Sequence, residues 1–113
     1  MVKIATVTTT KSSGNTFKDL GVPQPELAKI KSDMALAIYR TIQSRGLSQS
    51  EAAAVMGVDQ AKVSAISRGI TKGYSVDRLM TFLNRLDMDV DIRLKPKPKR
   101  NKIAHTRVTG IAG

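Results

Sequence analysis

Apolar residues recur at helical spacing from Pro25 onward. The apolar position returns every three or four residues, at Leu27, Ile30, Met34, Ile38 and Ile42. This period is typical of one face of an amphipathic α-helix. Pro25 suits the first turn of such a helix, because its missing N–H removes no hydrogen bond there. The pattern predicts one long helix that ends near Arg45–Gly46, where the glycine can terminate it.

Two short helices are predicted within Gln49–Ile66. Ser48 followed by Glu51 has the spacing of a capping box, and Gly57 stands where the chain must leave the first helix. Asp59 can cap the second helix. Apolar side chains at helical spacing predict one buried face in each helix. In the first helix this face is Ala52, Ala53, Val55 and Met56, and in the second it is Val63 and Ile66.

A further helix and a strand complete the pattern. Ser75 caps the helix, and its buried stripe is predicted to be Val76, Leu79, Met80, Leu83 and Leu86. From there the apolar period changes to two, which predicts a half-buried strand with one face formed by Met88, Val90, Ile92 and Leu94. A lone strand cannot satisfy its own backbone groups, so we predict that it pairs with the same strand of a second copy in a homodimer. The edge strand of a different protein, or residues 2–8 of this chain, are alternative mates.

Charge divides the chain into three parts. Residues 1–24, rich in Thr, Ser, Lys and Gly, are predicted to be a flexible arm. Residues 25–94 are predicted to form the folded domain, which contains ten basic and eight acidic residues. Residues 95–113 carry six basic groups and no acidic one, and we expect a disordered tail. Most of the net charge of +10 therefore lies in the tail. Such a tail suits a polyanion, although it could also serve only to keep the protein soluble.

Several kinds of chemistry are excluded by the residues present. The chain has no cysteine, which rules out disulfides and thiolate sites. Asp87, Asp89 and Asp91 have the spacing of a calcium loop, but the required glycine and glutamate are Ile92 and Pro98. We predict no catalytic site, no metal and no cofactor, and therefore no enzyme. No apolar run is long enough for a membrane span and no secretory signal is visible, so we expect a cytoplasmic protein.

The block that begins at Gln49 has a specific spacing. Counting from Gln49, a small residue is fifth, a glycine ninth and β-branched residues fifteenth and eighteenth, which are Ala53, Gly57, Val63 and Ile66. In this spacing the block resembles the Xre/Cro helix-turn-helix family. The predicted fold is all-α: a small helix-turn-helix (lambda-repressor-like) domain with one C-terminal dimerising β-strand. Two amphipathic helices of some other all-α domain are the alternative.

The resemblance implies that the second helix of the motif enters the DNA major groove. Residues on its outward side are then predicted to contact bases, namely Gln60, Ala61, Lys62, Ser64 and Ala65. Phosphate contacts are predicted from both ends of the motif and from the loop beyond it, namely from Ser48, Gln49, Ser67, Arg68 and Lys72. The expected target is a double-stranded operator, palindromic if the protein is a dimer.

The wider context is similar to the antitoxins of HigA-type toxin–antitoxin pairs. This similarity rests on the long first helix, on QAKVSAISRG and RLMTFLNRLDMDVDIRLKPK, and on the preceding SSGNTFKDLG. It implies a dimeric repressor of its own operon that neutralises a RelE/HigB-like toxin. The candidate toxin-binding surface is Phe17, Leu20 and Val22, which could instead fold back onto the domain. Alternative hypotheses are a stand-alone Xre-type regulator without a toxin, and a protein-interaction module that uses the motif only as scaffold.

Overall fold

A computed structural model of the protein describes residues 24–110, and these residues form an all-helical domain. Its helices are α1 (Gln24–Ser44), α2 (Gln49–Met56), α3 (Gln60–Ser67) and α4 (Val76–Arg85). These four elements are the helices that the apolar pattern predicts, with ends within one or two residues of the expected ones. The division of the whole chain into an arm, a domain and a tail stays a prediction.

Each of the three predicted capping residues accepts a backbone hydrogen bond at the start of its helix. The hydroxyl of Ser48 accepts from the N–H of Glu51 at 3.0 Å, and the Ser48 N–H donates to the Glu51 carboxylate at 2.8 Å. This reciprocal pair confirms the capping box. Asp59 accepts from the Lys62 N–H at 2.9 Å, and Ser75 accepts from the N–H of Arg78 at 3.3 Å. The caps satisfy N–H groups that the first helical turn leaves without partners.

All four helices end at a residue with left-handed backbone conformation. The residue is a glycine after the first three helices, Gly46, Gly57 and Gly69, but Asp87 after α4, with a φ of 64°. The next residue, Met88, donates its N–H back to the Leu83 carbonyl at 2.9 Å, as in a Schellman motif. Asp87 is further tied to α1, because its carboxylate lies 3.6 Å from the Arg45 guanidinium.

The core lies between α1 and the other three helices. α1 packs against α3 and α4, and α2 packs against α3 and α4. The largest fully buried side chains are Phe82, Ile38, Met56, Ile66, Leu79, Leu86 and Val63. Most of these follow the predicted stripes, but Phe82 does not. Its ring is 1% exposed, meets Tyr74 edge-on with ring centroids 5.8 Å apart, and lies beneath the Arg78 guanidinium.

The described chain differs from the predicted apolar pattern at two places. The pattern places Val55 on the buried face of α2, but this residue is 42% exposed, because Ala52, Ala53 and Met56 already fill the contact with the core. Within residues 24–110 there is also no β-strand over Met88–Leu94. An extended segment becomes a strand only when a neighbouring backbone pairs with it, and the described part of this chain offers none. The alternative mate, residues 2–8, lies outside the described residues.

The segment after α4 returns to the start of α1. At its beginning, Arg45 near the end of α1 donates to the carbonyl of Asp87 at 3.3 Å. Further along, the N–H of Thr106 donates to Glu26 at 2.8 Å, and His105 Nδ1 lies 3.0 Å from the other Glu26 oxygen. These hydrogen bonds hold the pKa of Glu26 below its usual value, with His105 as the largest cause. Residues 88–105 therefore connect the two ends of α1.

Candidate nucleic-acid interface

The short helix α3 buries one side and exposes the other. Val63 and Ile66 are fully buried in the core. Residues that follow one another along a helix are separated by about 100°. The side opposite the two buried residues therefore carries Ala61, Ser64, Ala65 and Arg68, and Gln60 lies at its edge. Gln60, Ala61 and Arg68 are exposed, and Ser64 and Ala65 are half-buried.

The first turn of α3 is fixed by Asp59. Its carboxylate accepts the N–H of Lys62, and this hydrogen bond is the largest cause that lowers the pKa of Asp59. The Lys62 ammonium lies 3.5 Å from the same carboxylate. Both the backbone and the side chain of Lys62 are thus engaged with the cap. Of the predicted base-contacting residues, Lys62 lies farthest from the middle of the exposed side.

The start of α2 presents hydrogen-bond donors to solvent. Ser48 and Gln49 are both exposed. The Ser48 oxygen accepts from Glu51, so its own O–H remains available as a donor. The first N–H groups of an α-helix have no partner within the helix and carry partial positive charge. The beginning of α2 is therefore suited to a phosphate oxygen, as the sequence predicts.

Gly57 sets the crossing of α2 and α3 together with Arg85 of α4. The Arg85 guanidinium donates to the carbonyl of Met56 at 3.0 Å. A Cβ atom at position 57 would overlap this guanidinium, so any other residue would displace the Arg85 side chain from its present position. The φ of Gly57 is 77°, which a side chain would also disfavour. The sequence predicts the left-handed turn but gives no signal for Arg85, because 28 residues separate the two positions.

Two lysines lie beside the loop that follows α3. Lys72 and Lys31 both line a shallow groove between this loop and the first part of α1, together with Gln24, Leu27, Ala28 and Thr71. Sequence reasoning identified Lys72 and missed Lys31. The apolar period of α1 draws attention to its buried face, and no local pattern indicates which of its lysines faces the loop.

Comparison with known proteins assigns the fold to a family. A helix-turn-helix domain family matches residues 16–95, most of the chain. One solved structure, described as a proposed XRE-family transcriptional regulator, is 41% identical in sequence with a TM-score of 0.74. The match covers 78% of this chain and 99% of that one. This chain belongs to the XRE helix-turn-helix family. No curated protein matches it.

Membership of the XRE family agrees with the geometry of α2 and α3. The family regulates transcription through its helix-turn-helix domain and is not a family of enzymes. Within residues 24–110, no cluster of three or more His, Cys, Asp or Glu side chains could hold a metal ion. None of the described helices is long and apolar enough to cross a membrane. The predicted toxin-binding residues Phe17, Leu20 and Val22 lie outside the described residues.

Proposed function

We propose that this XRE-family protein is a sequence-specific repressor that binds its operator through α3. The observation that carries the proposal is the division of α3 into two sides. Val63 and Ile66 anchor the helix in the core, while Gln60, Ala61 and Arg68 remain exposed on the other side. A helix held in this way can enter the major groove without loss of its own packing.

The base contacts follow from the chemistry of the exposed side. The Gln60 amide can donate to and accept from one adenine, whereas Ala61 and Ala65 can contact thymine methyl groups. Ser64 can donate or accept a single hydrogen bond. Lys62 contributes only if its ammonium leaves Asp59, from which it is 3.5 Å away. We therefore rank Gln60 above Lys62 as the main determinant of sequence preference.

The phosphate contacts lie on both sides of α3. Ser48 and Gln49 offer donors at the start of α2, and Ser67 and Arg68 do so at the end of α3. Lys72 is a third point of contact. Since Lys31 lines the same groove as Lys72, we add it to this group. Contacts of this kind hold the protein in register on the duplex but carry no sequence information.

Fluorescence anisotropy with the duplex immediately upstream of this protein's own gene tests the proposal. A scrambled duplex of equal length is the reference. Gln60→Ala should weaken binding to the native duplex by about 1–3 kcal/mol and leave the scrambled duplex unaffected. Lys72→Ala should weaken binding to both duplexes equally. Gln43→Ala, on the outer surface of α1, is the matched control and should change neither. An equal loss on both duplexes for Gln60→Ala would refute the assignment of α3.

The proposed repressor acts as a homodimer joined through the segment Met88–Leu94. Three apolar side chains of this segment are exposed, Met88 by 36%, Ile92 by 47% and Leu94 by 60%. The fourth, Val90, packs partly against the core. Residues 89–95 make no backbone hydrogen bond within the described chain. Unpaired backbone groups beside exposed apolar side chains favour pairing with the same segment of a second copy, which would make both segments strands.

Light scattering after size exclusion tests the dimer. Ile92→Asp should shift the protein from dimer to monomer, because it introduces charges into the paired segment on both sides of the symmetry axis. Ile103→Asp is the matched control, since Ile103 is 59% exposed but lies outside the segment. A monomeric wild-type protein, or a dimer that withstands Ile92→Asp, would contradict the proposed interface.

We further propose that the repressor is the antitoxin of a RelE/HigB-like toxin. The support is the similarity of residues 12–98 to HigA-type antitoxins, with Phe17, Leu20 and Val22 as the candidate toxin-binding residues. Cells that express a neighbouring RelE-like gene should stop growing, and co-expression of this protein should restore their growth. Phe17→Asp should abolish this rescue but leave operator binding unchanged. Without such a partner, the protein is a stand-alone regulator. A scaffold for protein interaction would instead show weak DNA binding without preference for the native duplex.

A further inference from the structure

The basic segment, residues 95–102, is the most highly charged stretch of the described chain. Its eight residues, KPKPKRNK, contain five cations and no anion. Residues 24–94, by contrast, are nearly balanced, with ten basic and eight acidic groups. All five cationic side chains are exposed, and none makes an ion pair or hydrogen bond within residues 24–110. The domain itself therefore does not use this charge.

The basic segment is attached to the domain on both sides. Before it, the guanidinium of Arg45, directly after α1, donates to the Asp87 carbonyl. After it, Glu26 at the start of α1 accepts the N–H of Thr106 and contacts His105. Glu26 and Arg45 are separated by 19 residues of chain, which corresponds to about 28 Å along a helix. The segment between the two attachments is thus held close to the domain and is not a free end.

Pro96 and Pro98 give the segment its form. Proline fixes its own φ and favours an extended backbone in the residue before it. After Pro98 the chain turns, because the Asn101 N–H donates to the Pro98 carbonyl at 3.0 Å and Lys99 and Arg100 occupy the turn. Lysine ammonium groups bind phosphate as point charges and do not require a fixed partner geometry. Five exposed cations within eight residues suit a polyanion whatever its base sequence.

The basic segment follows the part of the chain that matches the helix-turn-helix family. The helix-turn-helix match ends at residue 95, where the segment begins. We propose that residues 95–102 form a second DNA-binding surface, which contacts backbone phosphates of the duplex beyond those reached by α2 and α3. This inference rests on the proposed function, because the operator brings the duplex to the domain. Duplex DNA is favoured over a membrane surface because the segment is attached to a helix-turn-helix domain whose family binds DNA.

The salt dependence of binding tests the inference with the full-length protein. Each phosphate contact contributes about 0.9 to the slope of log Kd against log salt. We compare the wild type with K95Q/K97Q/K99Q/R100Q/K102Q between about 50 and about 300 mM salt. The five substitutions should lower the slope by about 2 to 4.5, on the native and the scrambled duplex alike. The preference for the native duplex should remain, because these contacts carry no sequence information.

A charge-preserving variant serves as the matched control. K95R/K97R/K99R/R100K/K102R keeps all five charges and should keep the wild-type slope. Since all five side chains are exposed, the glutamine variant should also keep the wild-type circular dichroism spectrum and melting temperature. An unchanged slope in the folded glutamine variant would overturn the inference and leave RNA or an acidic protein as the partner of the segment.

The same titration separates this inference from the proposed function. A wild-type protein that binds native and scrambled duplexes equally would refute the sequence-specific repressor. The effect of the five substitutions on the slope would still be measurable on both duplexes. A wild-type protein that prefers the native duplex, combined with an unaltered slope in the glutamine variant, would refute only the second surface.

Discussion

Replacement of Gly57 by alanine tests how the motif is held together. Two effects combine at this position. The φ of 77° is unfavourable for any residue with a Cβ atom, and that Cβ would overlap the guanidinium of Arg85. The guanidinium is the far end of a flexible side chain, so it can move aside. If it moves, the hydrogen bond from Arg85 to the Met56 carbonyl, now 3.0 Å long, is lost.

The two effects can be estimated separately. An L-residue in the left-handed region costs about 1 kcal/mol after allowance for the lower entropy of the unfolded chain. Loss of a partly exposed hydrogen bond costs about 0.5–1.5 kcal/mol. Gly57→Ala should therefore lower the free energy of unfolding by about 1.5–2.5 kcal/mol. Gly46→Ala should cost only about 1 kcal/mol, because Gly46 has a similar φ of 65° but no atom within 4 Å of a Cβ.

Urea unfolding followed by circular dichroism provides the assay. A double-mutant cycle with Arg85→Ala isolates the second effect. Without the guanidinium, Gly57→Ala should cost no more than Gly46→Ala does in the wild type. If Gly57→Ala and Gly46→Ala are equally destabilising in the wild type, Arg85 does not stabilise the turn. If Arg85→Ala leaves the cost of Gly57→Ala undiminished, the proposed origin of that cost is refuted.

Three further predictions concern the core, a cap and the acid limit of stability. Phe82→Ala should cost about 3–5 kcal/mol in urea unfolding, because Phe82 is fully buried in the core. The reference is Tyr39→Ala, which should lower the free energy of unfolding by less than about 1 kcal/mol because Tyr39 is 36% exposed. Ser48→Ala should cost about 1 kcal/mol through loss of the capping box, whereas Ser50→Ala in the same turn should be nearly neutral. Glu26 and Asp59 have lowered pKa values, so they stabilise the fold above their ordinary pKa values of 4.5 and 3.8. This stabilisation should be lost as the pH falls through the lower pKa values of the folded state. Melting temperatures measured from pH 7 to pH 3 should therefore fall less steeply for the double variant Glu26→Gln/Asp59→Asn than for the wild type.

Local signals in the sequence predict most of this fold. Ser48, Asp59 and Ser75 each cap a helix because a short polar side chain can bond only the nearby N–H groups. Gly46 and Gly57 end helices because they tolerate a positive φ. Each of these contacts joins residues at most five apart in the sequence. Signals for caps and turns of this kind can therefore be recognised within short stretches of one sequence.

Contacts between distant residues could not be predicted in the same way. Arg85 donates to Met56 and Glu26 contacts His105, in each case across separate elements. Lys31 and Lys72 line one groove from α1 and from the loop after α3. Their partners depend on how the helices cross, which the apolar period does not specify. The strand over Met88–Leu94 was predicted from its period of two, but a strand also requires a second backbone. Val55 shows the same limit: the helix that contains it is predicted correctly, but the buried side of that helix is narrower than predicted.

The eight residues of α3 have a consequence for the engineering of this protein. Isolated helices shorter than about 12–15 residues are marginal in water, so α3 depends on its neighbours for its existence. It could not be excised as a peptide that retains its shape. Its stability depends on Val63 and Ile66, whereas the proposed readout depends on Gln60, Ala61, Ser64 and Ala65. New target preferences can therefore be selected by randomising these four positions while the scaffold beneath them is kept unchanged.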